Sequence, residues 1–367
     1  MQKNKINKIV LTGGHAGSTA LAVFEEIKRR DPDIKLFFIG GKTSVEGKRS
    51  RTLAQIAFSD IGIKLYSINA GRLAIKRSFW SWMSLLKLPL GLLQSLVIIN
   101  KINPDIILSF GGYAGFPVVL ASWIRRIPVV IHEQTSVAGR ANLASSRMAK
   151  KIALARESSM KYFPKQKCVV TGNPIPKNVK ADNTPNIHNP VHIFVTGGFS
   201  GSAMINKLVQ VALLNLLDTC EVIHQTGDIE YKKFVSIKVE LPIKFSERYK
   251  VESVIHPDKW GEHLDWADIF VARSGANFTY QLAIIKKPAI LIPIPYSYLN
   301  EQQINADYVK DFGLATVISQ KDATPELLVE ELKNIVKNWK EITSSVSNKK
   351  SPDLDASEKL VDLLFRV

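Results

Sequence analysis

Lys8-Ile9-Val10-Leu11 runs into Thr12-Gly13-Gly14-His15, and His192-Ile193-Phe194-Val195 runs into Thr196-Gly197-Gly198-Phe199-Ser200-Gly201. Each apolar tetrad reads as a buried strand, and each glycine turn leads into a helical pattern, Thr19 to Arg30 and Ser202 to Leu217. A tight glycine turn between strand and helix lets backbone N–H groups approach a ligand, and the helix N-terminus favours an anion there. One such turn says little. Two of them in corresponding places of two halves predict an α/β protein with twin nucleotide-fold domains facing one cleft.

Outward from these turns, short Ile/Val-rich runs recur at Lys35–Ile39, Asp105–Ser109, Pro128–Ile131, Cys168–Thr171, Glu221–His224, Asp268–Ala272 and Pro288–Pro293. Their composition fits strands buried on both sheet faces, and the helix-length segments between them imply βαβ units and parallel sheets. Pro174, Pro176, Pro185 and Pro190 lie among Asn, Asp and Lys without apolar periodicity, which marks a linker. The expected organisation is a first domain over 1–173, a linker over 174–190, a second domain over 191–350 and an amphipathic C-terminal helix over 351–367.

At 367 residues and 46% hydrophobic content, the chain is long enough for two cores. Cys168 and Cys220 match no metal spacing, and a reduced cytosolic setting follows. Gln2-Lys3-Asn4-Lys5 leads directly into the first strand with no signal-peptide pattern. A formal charge of +16 draws the protein towards polyanions. Helix-turn-helix, zinc-spacing and basic-aromatic signatures of nucleic-acid binders are missing, so an anionic membrane is the expected partner and nucleic acid is not.

The segment Phe79–Ile99 is almost wholly apolar, but Lys87 and Pro89 interrupt it. Leu90–Ile99 reads as a core helix. Phe79, Trp80, Trp82, Met83 and Leu86 lie beside Arg72, Lys76, Arg77 and Lys87, a pattern that suits a bilayer interface. A core helix with solvated lysines gives the same pattern.

Seven ordered blocks carry a family resemblance: Thr12-Gly13-Gly14-His15; Ser109 to Ala114; His132-Glu133-Gln134 with Ala138-Gly139; Gly172-Asn173-Pro174; Gly197-Gly198 with Ser200-Gly201; Ala272 to Ala276; and Gln302-Gln303 with Asn305-Ala306. The chain resembles the MurG family, peripheral membrane glycosyltransferases of peptidoglycan synthesis. The resemblance implies a GT-B fold of two Rossmann-like domains around a central cleft. It also implies inverting transfer of N-acetylglucosamine from UDP-N-acetylglucosamine to lipid I, a polyprenyl-diphosphate acceptor, at the cytoplasmic face of the cell membrane, serving cell shape and division. Two other readings remain: a related transferase with another membrane lipid acceptor, and a non-catalytic membrane scaffold.

The resemblance distributes roles over residues. His15 becomes the base, since a near-neutral imidazole suits proton removal; a turn-capping imidazole is the alternative. Glu133 would orient that base or the acceptor. Donor-binding roles fall on Thr12, Gly13, Gly14, Thr135, Ser200, Arg273, Ser274, Gly275, Ala276, Gln281, Gln302 and Gln303, and acceptor-binding roles on Gly111, Gly112, Tyr113, His132 and Gln134. A helix N-terminus after Arg273-Ser274-Gly275-Ala276 would meet the donor phosphates, and no acidic pair resembles a divalent-cation site, so neither metal nor cofactor is expected. The sequence departs from the family pattern at Thr135, Pro176, Phe199, Asn300 and, on the ribose-gripping position usually held by glutamate, Gln281.

Overall fold

The computed structural model describes residues 5–14, 17–41, 58, 61–71, 87–180 and 187–367. His15 and the aromatic segment Arg72–Leu86 lie outside the described residues, as does the side chain of Lys87. The chain divides into two compact units, Met1–Lys177 with Pro352–Val367, and Asn178–Ser351.

The first unit runs β1 (Lys8–Gly13), α1 (Gly17–Arg30), β2 (Lys35–Gly41), β3 (Lys64–Ile68), α2 (Lys87–Ile102), β4 (Ile106–Ser109), α3 (Gly112–Ile124), β5 (Val129–Glu133), α4 (Arg140–Ser145), β6 (Lys151–Leu154) and β7 (Cys168–Val170). Its seven strands are parallel in the order β3-β2-β1-β4-β5-β6-β7. The second unit runs β8 (Val191–Thr196), α5 (Ala203–Leu217), β9 (Cys220–Gln225), α6 (Tyr231–Glu240), α7 (Ile243–Ser246), β10 (Tyr249–Glu252), α8 (Pro257–Trp266), β11 (Ile269–Ala272), α9 (Ala276–Ile285), β12 (Ala289–Leu291), α10 (Glu301–Phe312), β13 (Ala315–Val317) and α11 (Pro325–Val346). Its six parallel strands follow the order β10-β9-β8-β11-β12-β13. In each sheet the chain starts in the middle, winds outward one way and then crosses back. The reversal points are β1/β4 and β8/β11, where such sheets open a crevice beyond the carboxyl ends of the strands.

The central strands β4, β5 and β11 are buried at every residue, and each opens on a run of Ile, Val, Leu or Phe that suits a strand covered on both faces. β3, β6, β10 and β13 were not among the expected strands, because Lys64, Tyr66, Lys151, Lys250 and Thr316 break the apolar run.

One expectation changes. Helix α2 is described from Lys87 onward and contains Pro89, which the expected core helix Leu90–Ile99 left out. It is not a core helix throughout: Leu90, Leu93 and Val97 are exposed at 46%, 61% and 67%, on one stripe at helical spacing. The C-terminal helix α12 (Ala356–Arg366), which by its sequence could pack on either domain, belongs to the first unit. Leu360, Val361 and Leu364 are part of the first unit's core with Ile9, Val23 and Ile27. Asp353, just ahead of it, takes both Arg156 guanidinium nitrogens (2.8 and 2.6 Å) and the Asn173 N–H (2.7 Å) on its carboxylate.

Charge is divided as sharply as the fold. The first unit holds 30 Lys and Arg against 13 Asp and Glu, and the second 19 against 20, so the whole basic excess belongs to the first.

Candidate functional site

At the β1/β4 reversal the glycine turns close on each other. Gly14 N–H donates to the Gly111 carbonyl (3.1 Å), and a side chain on Gly112 would stand 2.8 Å from Gly14 N. The Tyr113 ring lies against Gly14 and Gly41, so both must be without side chains. Thr12 is fully buried and donates its hydroxyl to the Ile39 carbonyl (2.8 Å). The Thr12 hydroxyl and the Gly14 N–H are thus both engaged within the unit. Gly13 lies buried in β1, paired with Gly40 of β2.

The His132-Glu133-Gln134 block divides in the same way. His132 is fully buried, donates from Nε2 to the Gly172 carbonyl (3.0 Å), and is pushed by burial down to about 4, so it is neutral and inaccessible to an acceptor. Glu133 is buried and accepts from Gly139 N–H (2.8 Å), Asn142 Nδ2 (2.9 Å) and Thr135 N–H (3.2 Å). Thr135 Oγ1 lies 2.9 Å from Glu133 and also contacts the Val137 carbonyl, with one proton for two acceptors. Burial pushes the Glu133 carboxyl above its ordinary range against the opposing pull of Asn142, Gly139 and Thr135. Glu133 and Thr135 thus fold the loop into α4. Gln134 differs: partly exposed, its amide makes no hydrogen bond among the described residues.

The β8/β11 reversal stays open. A side chain on Gly198 or Gly275 would meet no described atom within 4 Å. Gly275 is the N-cap of α9 and, being glycine, supplies no side-chain cap to that helix's N-terminus, which lies at the carboxyl end of β11. Arg273, at the end of β11, donates to Ser202 Oγ (3.1 Å), the Ile292 carbonyl (2.9 Å), the Pro293 carbonyl (3.3 Å) and Gln320 Oε1 (2.9 Å). All four acceptors are neutral. Burial lowers its pKa, yet a guanidinium keeps its charge, so a fixed cation without a carboxylate partner among the described residues lies across the ends of the strands.

Around it the expected residues take unequal parts. Ser200 is exposed on its turn, and Ala276 opens α9. Ser274 is buried, donating to the Gln302 carbonyl (2.7 Å) and accepting from Asn305 (3.2 Å). Gln302 accepts the Ile294 N–H (3.0 Å). The side chains of Ser274 and Gln302 therefore brace α10 against the segments that follow β11 and β12. Gln303 is held through Nε2 by Asp307 (2.9 Å) and keeps its carbonyl oxygen. Gln281 accepts from Trp260 Nε1 (2.8 Å) and keeps its NH2. Trp260 and Gln320 were missed in the sequence because they stand 21 and 47 positions from the residues they hold, with no local motif.

His188, His192 and Asp268 also converge. Asp268 accepts both backbone N–H groups (3.2 and 2.9 Å) and His188 Nδ1 (2.8 Å), and the two imidazoles stack in parallel 4.1 Å apart. The bonds staple the incoming chain to β11.

Residues 9–154 match the glycosyltransferase family 28 N-terminal domain and residues 192–360 its C-terminal domain. The UDP-N-acetylglucosamine–N-acetylmuramyl-(pentapeptide) pyrophosphoryl-undecaprenol N-acetylglucosamine transferase of Desulfotalea psychrophila is 30% identical, covering 92% of this chain and 90% of its own length. That of Bacillus cytotoxicus is 30% identical, covering 97% and 98%. The chain belongs to the MurG family. Its fold is GT-B: the crystal structure of Acinetobacter baumannii MurG superposes with a TM-score of 0.67 at 21% identity, over 98% of this chain and all of that one. The Neisseria meningitidis UDP-GlcNAc 2-epimerase shares the fold alone, with a TM-score of 0.66 at 12% identity over 98% of this chain and 100% of its own.

The engaged Glu133 carries a prediction. In Glu133→Gln the carbonyl keeps Gly139 and Asn142 while the amide donates to Thr135 Oγ1, so the change costs about 1 kcal/mol in chemical unfolding, against about 3 kcal/mol for Glu133→Ala. Because the folded pKa lies above 4.5, the native state retains a proton that the unfolded chain releases, and wild-type stability falls as pH climbs from there through the raised value. The gap to the Gln variant therefore narrows as pH rises. A stable Gln variant without turnover would restore a catalytic role to Glu133.

Proposed function

We propose that the chain is an inverting glycosyltransferase that moves N-acetylglucosamine from UDP-N-acetylglucosamine to a muramoyl-pentapeptide pyrophosphoryl-undecaprenol at the cytoplasmic membrane face. The observation that carries this reading is the open β8/β11 reversal, where Arg273 and the uncapped start of α9 offer positive charge with no acidic partner. A departing diphosphate needs that charge, supplied here by a guanidinium and backbone dipoles rather than by a divalent metal. Gln281 presents N–H donors to the ribose oxygens and Gln303 its carbonyl to a sugar hydroxyl. The acceptor oxygen attacks the anomeric carbon opposite UDP, its proton passes to a base, and the bond to phosphate breaks with its electrons on UDP. His15 takes the base role by its sequence position, and Gln134 offers a free amide to the acceptor.

The same reading places the first unit on the membrane. Besides the stripe Leu90, Leu93 and Val97, Trp123 and Ile124 are exposed at the end of α3, next to exposed Arg125 and Arg126. Apolar side chains rimmed by cations, on the unit that holds the entire basic excess, fit an anionic bilayer surface. No helix among the described residues is long and apolar enough to cross a membrane.

Calorimetry with UDP-N-acetylglucosamine tests the donor site. Wild-type protein should bind it without added metal, and Arg273→Gln should bind at least about tenfold more weakly. His15→Ala should bind normally and transfer no sugar to lipid I. No wild-type binding would remove the reading, and full turnover by His15→Ala would remove the base assignment.

Restoring a carboxylate in Gln281→Glu keeps the Trp260 bond and turns the free end into a charge-assisted acceptor for ribose hydroxyls. Donor affinity should rise about fivefold; weaker binding would show that the amide donors carry the contact.

Co-sedimentation with anionic vesicles should fall several-fold for Leu93→Ser/Val97→Ser/Trp123→Ser, and for wild type on neutral vesicles. Pelleting unaffected by both changes would refute the docking face.

A further inference from the structure

The second glycine turn rests on a buried chain of hydrogen bonds whose every proton can be placed. Asn206 Nδ2 lies 2.9 Å from the Thr226 carbonyl and 2.7 Å from Glu230 Oε2, both acceptors, so the amide nitrogen must face them and Oδ1 must face His224. His224 Nε2, 3.1 Å from that oxygen, therefore carries the ring proton. Nδ1 is then an acceptor, and the Tyr249 hydroxyl, 2.9 Å away, donates to it. The direction runs one way: Tyr249 O–H to His224, His224 N–H to Asn206, Asn206 N–H to Thr226. Burial pushes His224 down to about 3, so the ring stays neutral at working pH.

The chain ends where the turn begins. Gly227, next to Thr226, adopts φ +78°, and a side chain there would strike the Ser200 carbonyl. Gly201, at φ +72°, would in turn strike the Thr226 carbonyl. The Thr226–Gly227 backbone is thus the floor on which Ser200 and Gly201 lie. A second link holds the other end of the turn: Gly198 N–H donates to Thr196 Oγ1 (3.0 Å), which donates to Gln225 Oε1 (2.6 Å).

We propose that Asn206 and His224 are positioning residues for the donor diphosphate, acting through the Thr226 carbonyl to hold the Ser200–Gly201 turn at its place beside Arg273. This rests on the donor-site reading above. Neither side chain touches substrate; both are buried behind the turn. A displaced turn costs donor affinity because backbone groups must be preorganised, while the chemical step and the acceptor contacts are left alone.

Two near-isosteric variants test it. Asn206→Asp keeps the shape but cannot donate to Thr226 and faces Glu230; Tyr249→Phe removes the hydrogen bond that anchors the imidazole at Nδ1. In steady-state transfer assays Asn206→Asp should raise the donor KM about tenfold, and Tyr249→Phe about threefold, with kcat and acceptor KM within about twofold of wild type. Imidazole ¹⁵N shifts should show His224 protonated on Nε2 in wild type and still so in Tyr249→Phe, since Asn206 Oδ1 fixes that proton, with the Nδ1 resonance moved by loss of its donor. If Asn206→Asp is too unstable to assay, the Tyr249→Phe kinetics and spectra decide. Unchanged donor KM in a folded variant, or wild-type His224 protonated on Nδ1, overturns the proposal. A wild type that binds no UDP-sugar would instead overturn the donor-site reading, with the ¹⁵N spectrum still deciding the order of the protons.

Discussion

A guanidinium withdrawn partly from water and met only by carbonyls, a hydroxyl and an amide sets the character of the second unit. Arg273 is well bonded but electrically uncompensated. In a low-dielectric setting such a charge favours an anion strongly, because its field is little screened. The turns around it leave room beside that charge: a side chain on Gly198 or Gly275 would meet no described atom within 4 Å. Removing the reversal of strand order between β8 and β11 would leave no crevice for any of these to share.

The two units have the same topology and opposite fillings. In the first, Tyr113 lies across the ends of β1 and β2, Gly14 and Gly112 touch, and Thr12 turns inward to Ile39. In the second, the corresponding space beside Gly198 and Gly275 is vacant of described atoms. A shared fold therefore does not imply a shared ligand. Similar glycine turns meet different neighbours, and those neighbours decide whether backbone donors face a partner within the protein or remain available.

How far the sequence could be read follows from the range of each interaction. The βαβ pattern, the two glycine turns and the strands of both sheet centres depend on local composition, so they were legible. The edge strands β3 and β10 were not, since lysines on a half-solvated strand remove the apolar run. The motif residues were recognised as a set, but their roles were not separable by spelling. Nothing in His-Glu-Gln tells that His132 bonds to Gly172 and that Glu133 binds its own loop, while Gln134 stays free. The exposed Trp123-Ile124-Arg125-Arg126 carries the same aromatic-beside-cation pattern as Phe79–Lys87, but so short a run does not tell an exposed helix end from a buried one.

The return of the C-terminus to the first unit has a consequence for biosynthesis. Leu360, Val361 and Leu364 complete the core built on Ile9, Leu11 and Val23, and Asp353 anchors beside Asn173. The ribosome must therefore release nearly the entire polypeptide before the earliest-made half can close, whereas Asn178–Ser351 is contiguous and can mature while its C-terminal neighbours are still being translated. The half made first is finished last.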